Sequence, residues 1–160
     1  MDGVPFLPAL FDSSATAAES QTNAEHVRAM YASLKPEQLK TMARMALTQM
    51  ITDPKYVEET TEWAGRSDSA FVGQALYELM TTDLRPELGR LRAPVLLIGA
   101  GKAFNSSATR LEEMRAAYEN QVQNVLDRKI LMAQKALHFI MFDDPEFLFR
   151  SIDEFLAGRR

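Results

Sequence analysis

Pro94-Val95-Leu96-Leu97-Ile98-Gly99 is the stretch on which the fold turns. It is a continuous apolar run, opened by proline and closed by glycine. A parallel strand covered by helices on both faces reads this way, because no position needs to alternate toward water. Its six residues, with valine and isoleucine among them, are too few for a core helix, which argues against a purely helical binding domain.

Downstream of this strand, Leu111, Met114, Tyr118 and Val122 fall on one helical stripe, with Ser106 or Ser107 as the expected cap. Lys129-Ile130-Leu131-Met132 is a second, shorter candidate strand. Asp144-Pro145 then opens a last helix, expected to present Leu148, Ile152, Phe155 and Leu156 to a core. Strand, helix, strand, helix in that order predicts a parallel crossover of the α/β class over residues 91–160.

Upstream, residues 23–90 read as wholly helical. Asn23 is the expected cap of a helix holding Val27, Met30 and Tyr31, and Pro36 suits the first turn of the next. Asp53-Pro54 opens a third helix. Ser67-Asp68 starts a fourth, with Phe71, Val72, Ala75, Leu76, Leu79 and Met80 on one broad apolar face and Asp68 as a first-turn residue. Met42, Met45, Met50 and Met80 either fill the core or line an apolar pocket. Residues 1–22 form an N-terminal segment whose Pro5 and Pro8 argue against a helix or central strand, so a loop hugging the surface is expected.

Composition narrows the function. A net charge of -4, with no cluster of Lys and Arg among aromatics, argues against nucleic acid as a partner. The chain has no cysteine, which rules out disulfides and a thiolate nucleophile and suits a reducing cytoplasm. Neither a basic leader with an apolar run nor a membrane-length stretch is present, so no membrane partner is expected. Two distant histidines without spaced carboxylates make a metal site unexpected, and nothing calls for a cofactor.

The ordered pieces of the tail resemble a known family. Leu91-Arg92-Ala93-Pro94-Val95-Leu96-Leu97-Ile98-Gly99 is similar to the penultimate strand of the α/β-hydrolases, and Asp83-Leu84-Arg85 to its lead-in. The run from His138 through Asp144-Pro145-Glu146 to Ile152, Phe155 and Leu156 resembles that family's closing segment. There a catalytic histidine follows the last strand and a helix opened by Pro-Glu comes next. The resemblance implies a partial α/β-hydrolase fold, with residues 23–90 as a helical cap-like region and residues 91–160 as the C-terminal part of the core. It departs from the family at Leu137, where glycine is usual, and at Gly99-Ala100-Gly101-Lys102-Ala103-Phe104-Asn105, which holds no acid.

What the resemblance implies chemically is a nucleophile, a histidine and an acid. His138 is the implied histidine. No serine in the chain has the G-x-S-x-G spacing of a nucleophile elbow, so the nucleophile is expected upstream of Met1 and the chain alone is expected to be inactive. For the acid, Asp2-Gly3-Val4-Pro5-Phe6 resembles the place where many haloalkane dehalogenases carry theirs, which makes Asp2 the candidate. His26, among charged neighbours, reads as a surface residue, Asp144 as a helix cap, and Asp83 as a turn residue. The implied activity is hydrolysis of a carboxylic ester or similar small apolar substrate. The alternative is an inactive remnant that binds a partner. An exposed sheet edge would then admit a second copy or a complementing N-terminal chain.

Overall fold

The computed structural model describes residues 3–103 and 108–158. Its seven α-helices and two strands among these residues follow local signals in most places. α1 (Ala17–Ala32) is closed at its start by a capping box, in which the Thr16 hydroxyl accepts the Glu19 amide and the Glu19 carboxylate accepts the Thr16 amide. It therefore begins six residues ahead of the expected cap at Asn23, because a reciprocal pair satisfies two orphan amides where Asn23 would satisfy one. α2 (Pro36–Leu47) and α3 (Pro54–Gly65) each carry proline in the first turn, and the Asp53 carboxylate accepts the Lys55 amide. α4 (Ser69–Thr81) starts at Asp68, whose carboxylate accepts the Phe71 amide. Asp68 is thus the cap itself rather than a first-turn residue.

These four helices pack as two pairs, α1 with α4 and α2 with α3. Gly73 lets the first pair close in, since a β-carbon there would lie 2.8 Å from the Arg28 carbonyl oxygen and 2.9 Å from the Tyr31 side chain. The Arg28 guanidinium also sits 4.5 Å over the Tyr77 ring. With Gly73 and Tyr77 turned to α1, Phe71 and Leu79 fall on the opposite side of α4, and Phe71 is 73% exposed. The broad apolar face expected for α4 is therefore divided, and only part of it is covered. Lys40–Glu62 (2.7 Å) and Arg44–Glu58 ion pairs bridge α2 and α3. Met42 and Met80 are half-buried, as packing residues are, whereas Met45 is 69% exposed and Met50 37%, so core filling does not account for the latter two.

The sheet begins where expected. β1 (Val95–Ala100) and β2 (Arg128–Ala133) pair in parallel, in register from Val95↔Arg128 to Ala100↔Ala133. α5 (Ala108–Gln121) joins them and covers one face, where Leu97, Tyr118, Val122, Val125 and Ile130 form a core. The other face carries Ile98, Ala133, Ala136, Ile140 and Leu148, contributed in part by α6 (Ile140–Asp143) and α7 (Pro145–Ala157). Asp144 caps α7 by accepting the Phe147 amide, as its place before Pro145 implied. The expected stripe of α7 is only partly inward: Leu148 is buried, while Leu156 near the helix end is 56% exposed.

The N-terminal segment is better anchored than a surface loop. Phe6 is fully buried, and the side-chain amide of Gln121, itself buried, clasps its backbone. The Phe6 N–H donates to Gln121 Oε1 (3.2 Å) and Gln121 Nε2 donates to the Phe6 carbonyl (2.8 Å). Pro8–Leu10 then forms a single 3-10 turn.

Candidate functional site

Parallel pairing puts the carboxyl ends of both strands on one edge of the sheet, and the chain leaves β1 and β2 there into adjacent loops. Those loops are bonded to one another: the Gly101 N–H donates to the Ala133 carbonyl and the Lys102 N–H to the Ala136 carbonyl, each at 3.0 Å. His138 lies on the loop that leaves β2, five residues past the strand, and is exposed. The resemblance implied that placement.

The backbone on both sides of His138 is tied down. The Leu137 N–H donates to Asp143 Oδ2 at 2.8 Å, and the Phe139 N–H to the Met50 carbonyl at 3.2 Å. Asp143 also accepts the Thr52 amide on Oδ1 (2.9 Å) and the Thr52 hydroxyl on Oδ2 (2.8 Å). Lys102, from the loop after β1, donates from Nζ to Thr52 Oγ1 at 2.8 Å. Met50 and Thr52 flank Ile51 in the connection between α2 and α3. The helical region thus reaches the histidine loop directly, through residues that no local pattern would link.

Packing reinforces these bonds. Leu47, Ile51 and Val57 form a small core against which Phe139 and Phe142 rest. Tyr56 stacks on Phe142 with ring centres 4.4 Å apart, Phe142 lies 5.9 Å from Phe139, and the His138 ring meets Phe139 edge-on at 5.1 Å. A row of rings therefore runs from α3 to the imidazole.

Other candidates fall elsewhere. Asp2, the expected acid, lies outside the described residues, as do Asn105, Ser106 and Ser107. His26 is exposed on α1. Asp83 holds the turn before β1: its carboxylate accepts the Arg85 amide (3.0 Å), Nε (2.9 Å) and Nη2 (2.7 Å). The hydrogen bond from the Arg85 guanidinium keeps the Asp83 carboxyl below the usual carboxylate range. A cleft of about 580 Å³ opens beside Ala103, between the N-terminal segment and α5, with Leu10, Phe11 and Met114 among its walls. Met80 helps to line a neighbouring groove with Leu7, Pro8 and Phe11.

Comparison with solved structures decides what this arrangement is part of. An esterase from Thermogutta terrifontis, solved with malate bound, matches 88% of the chain at 18% identity with a TM-score of 0.62. The enol-lactonase from Burkholderia xenovorans matches 81% of it at 17% identity, with a TM-score of 0.59. Both are α/β-hydrolases. The chain has part of the α/β-hydrolase fold. It spans about half the length of each of these proteins, 50% of the esterase and 48% of the enol-lactonase. No family model and no curated protein matches the sequence. No helix among the described residues is long and apolar enough to cross a membrane.

Asp143, Thr52 and Lys102 are the residues around the loop that carries His138 that sequence reasoning did not single out. One signal was available. Asp143-Asp144 precedes Pro145, and only one carboxylate is needed to cap α7. The other was spare.

Proposed function

We propose that this chain is the histidine-bearing part of an α/β-hydrolase that cleaves a carboxylic ester or a similar small apolar substrate. The observation that carries this reading is the exposed His138 on a braced loop at the carboxyl edge of the parallel pair. The names of the two matched proteins, an esterase and an enol-lactonase, favour ester bonds as the target. Leu10, Phe11 and Met114 give the cleft beside Ala103 an apolar part that suits an apolar substrate group, next to the polar Arg110, Glu113 and Asn120.

In the mechanism so proposed, the nucleophile comes from the part of the fold outside this chain. If it is a serine, its Oγ attacks the ester carbonyl as its proton passes to the His138 imidazole. The imidazolium then gives that proton to the departing alkoxide, and water repeats the cycle to release the acid. If the nucleophile is an aspartate, the matching substrate is an alkyl halide or an epoxide: the carboxylate displaces the halide or opens the ring to give an alkyl ester, and His138 deprotonates the water that hydrolyses that ester. Asp2 is the proposed acid that stabilises the imidazolium.

A second reading, an inactive module that binds a partner, is favoured by the ladder itself. The Val95 N–H donates to the Asp127 carbonyl and the Gly101 N–H to that of Ala133, so alternate residues of β1 bond to β2. Leu96 and Ile98 therefore direct their backbone groups to the other side, where no third strand pairs among the described residues. A second copy or a complementing chain would add a strand at that edge. Size-exclusion chromatography reads this directly, and a stable monomer counts against edge pairing.

The hydrolase reading predicts that the chain by itself shows no turnover of p-nitrophenyl esters above a His138→Ala control. Robust hydrolysis by the chain alone that vanishes in the control would mean it holds a nucleophile of its own and would overturn the proposed division of labour.

A further inference from the structure

We infer that Asp143 is the positioning residue of His138, acting through the Leu137 amide and tying the histidine loop to the connection between α2 and α3. The inference rests on the reading of His138 as the general base.

One carboxylate gathers three donors here. Oδ2 accepts the Leu137 N–H (2.8 Å) and the Thr52 hydroxyl (2.8 Å), and Oδ1 accepts the Thr52 N–H (2.9 Å). A hydroxyl has one proton to give, and that of Thr52 goes to Asp143, leaving Oγ1 free to accept from Lys102 Nζ (2.8 Å). Ammonium, hydroxyl and carboxylate so form a directed chain from the loop after β1 to the loop after β2. On the far side of His138 the Phe139 amide is held by the Met50 carbonyl, two residues before Thr52. Both peptide neighbours of the imidazole are therefore fixed to the same short connection.

Such bracing matters to a general base more than to a surface residue. Proton transfer needs the imidazole within hydrogen-bond reach of its partner, and a displacement of about 1 Å can cost about 10²-fold in rate. A loop residue holds that tolerance only when its supports are themselves held. Helix capping does not explain Asp143, because Asp144 performs it for α7.

The chain contains two histidines, so its ring spectrum carries an internal reference in the exposed His26 of α1. NMR of the histidine-labelled chain and amide exchange at Leu137 test the inference. In Asp143→Ala the His138 ring signal should shift or broaden while that of His26 stays, and Leu137 amide exchange should rise at least about tenfold. Thr52→Val, which removes only the hydroxyl tie, should move the same signals less, and it keeps the test alive if Asp143→Ala fails to fold. In the protein joined to its nucleophile-bearing part, Asp143→Ala should lower kcat with KM little changed. Unmoved His138 and Leu137 signals would overturn the positioning role, even if His138→Ala abolished activity. Moved signals in a protein indifferent to His138→Ala would instead overturn the general-base reading and leave the tie intact.

Discussion

Asp143 and Asp144 stand side by side in sequence and differ wholly in reach. Asp144 bonds three residues ahead, to the Phe147 amide, and its neighbour Pro145 announced the cap. Asp143 bonds to Thr52, 91 residues away. No periodicity or spacing carries such a partner, which is why the place of His138 after β2 was legible from the motif around it and the support of its loop was not. Asp83 lies between these cases, since its partner Arg85 is local and the turn was foreseen. Its charge-assisted bonds make a pH prediction. The carboxyl is held below its ordinary value in the folded state, so its contribution is full above the unfolded value of about 3.9 and lost as pH falls through the lower folded value. Asp83→Asn should therefore cost about 1 kcal/mol near neutrality, and the difference should vanish in acid. Denaturant melts of both proteins across pH 2–7 check it, and a gap that stayed constant over that whole range would contradict the assignment.

Elements were legible where their ends carry their own chemistry. β1, α3 and α7 are bounded by proline or capping aspartate and lie within a residue or two of expectation. α1 starts earlier than a cap at Asn23 predicts because Thr16 and Glu19 cap it only as a pair, three residues apart and within a polar stretch. How elements approach one another is a further step. Gly99 of β1 faces the buried Tyr118 of α5, and a β-carbon there would fall 2.6 Å from the ring. Neither strand nor helix pattern required glycine at that point; the contact between them does. Gly99→Ala should destabilise the chain by about 1–3 kcal/mol, and pairing it with Tyr118→Leu should restore most of the loss. Thermal melts of the single and double variants report this. An unchanged melting temperature in Gly99→Ala would mean that helix and strand lie farther apart.

At the scale of the whole molecule, the α/β order of the last seventy residues was readable because each strand is a compact apolar run and each helix a clear stripe. The docking of the helical region was not, since it depends on Met50, Thr52 and Tyr56 meeting the loop and aromatics that follow β2. That docking makes the site more than a tail motif: the connection between α2 and α3, both strand ends and the loop that carries His138 form one bonded unit. The chain spans about half of each matched hydrolase, and the proposed base, His138, comes without a nucleophile elbow. The most direct measurement is therefore the rate of p-nitrophenyl ester hydrolysis by this chain combined with a nucleophile-bearing N-terminal half of the α/β-hydrolase fold, as wild type and as His138→Ala. A loss of at least about 10³-fold is predicted for the variant. Equal rates in the two proteins would contradict the account.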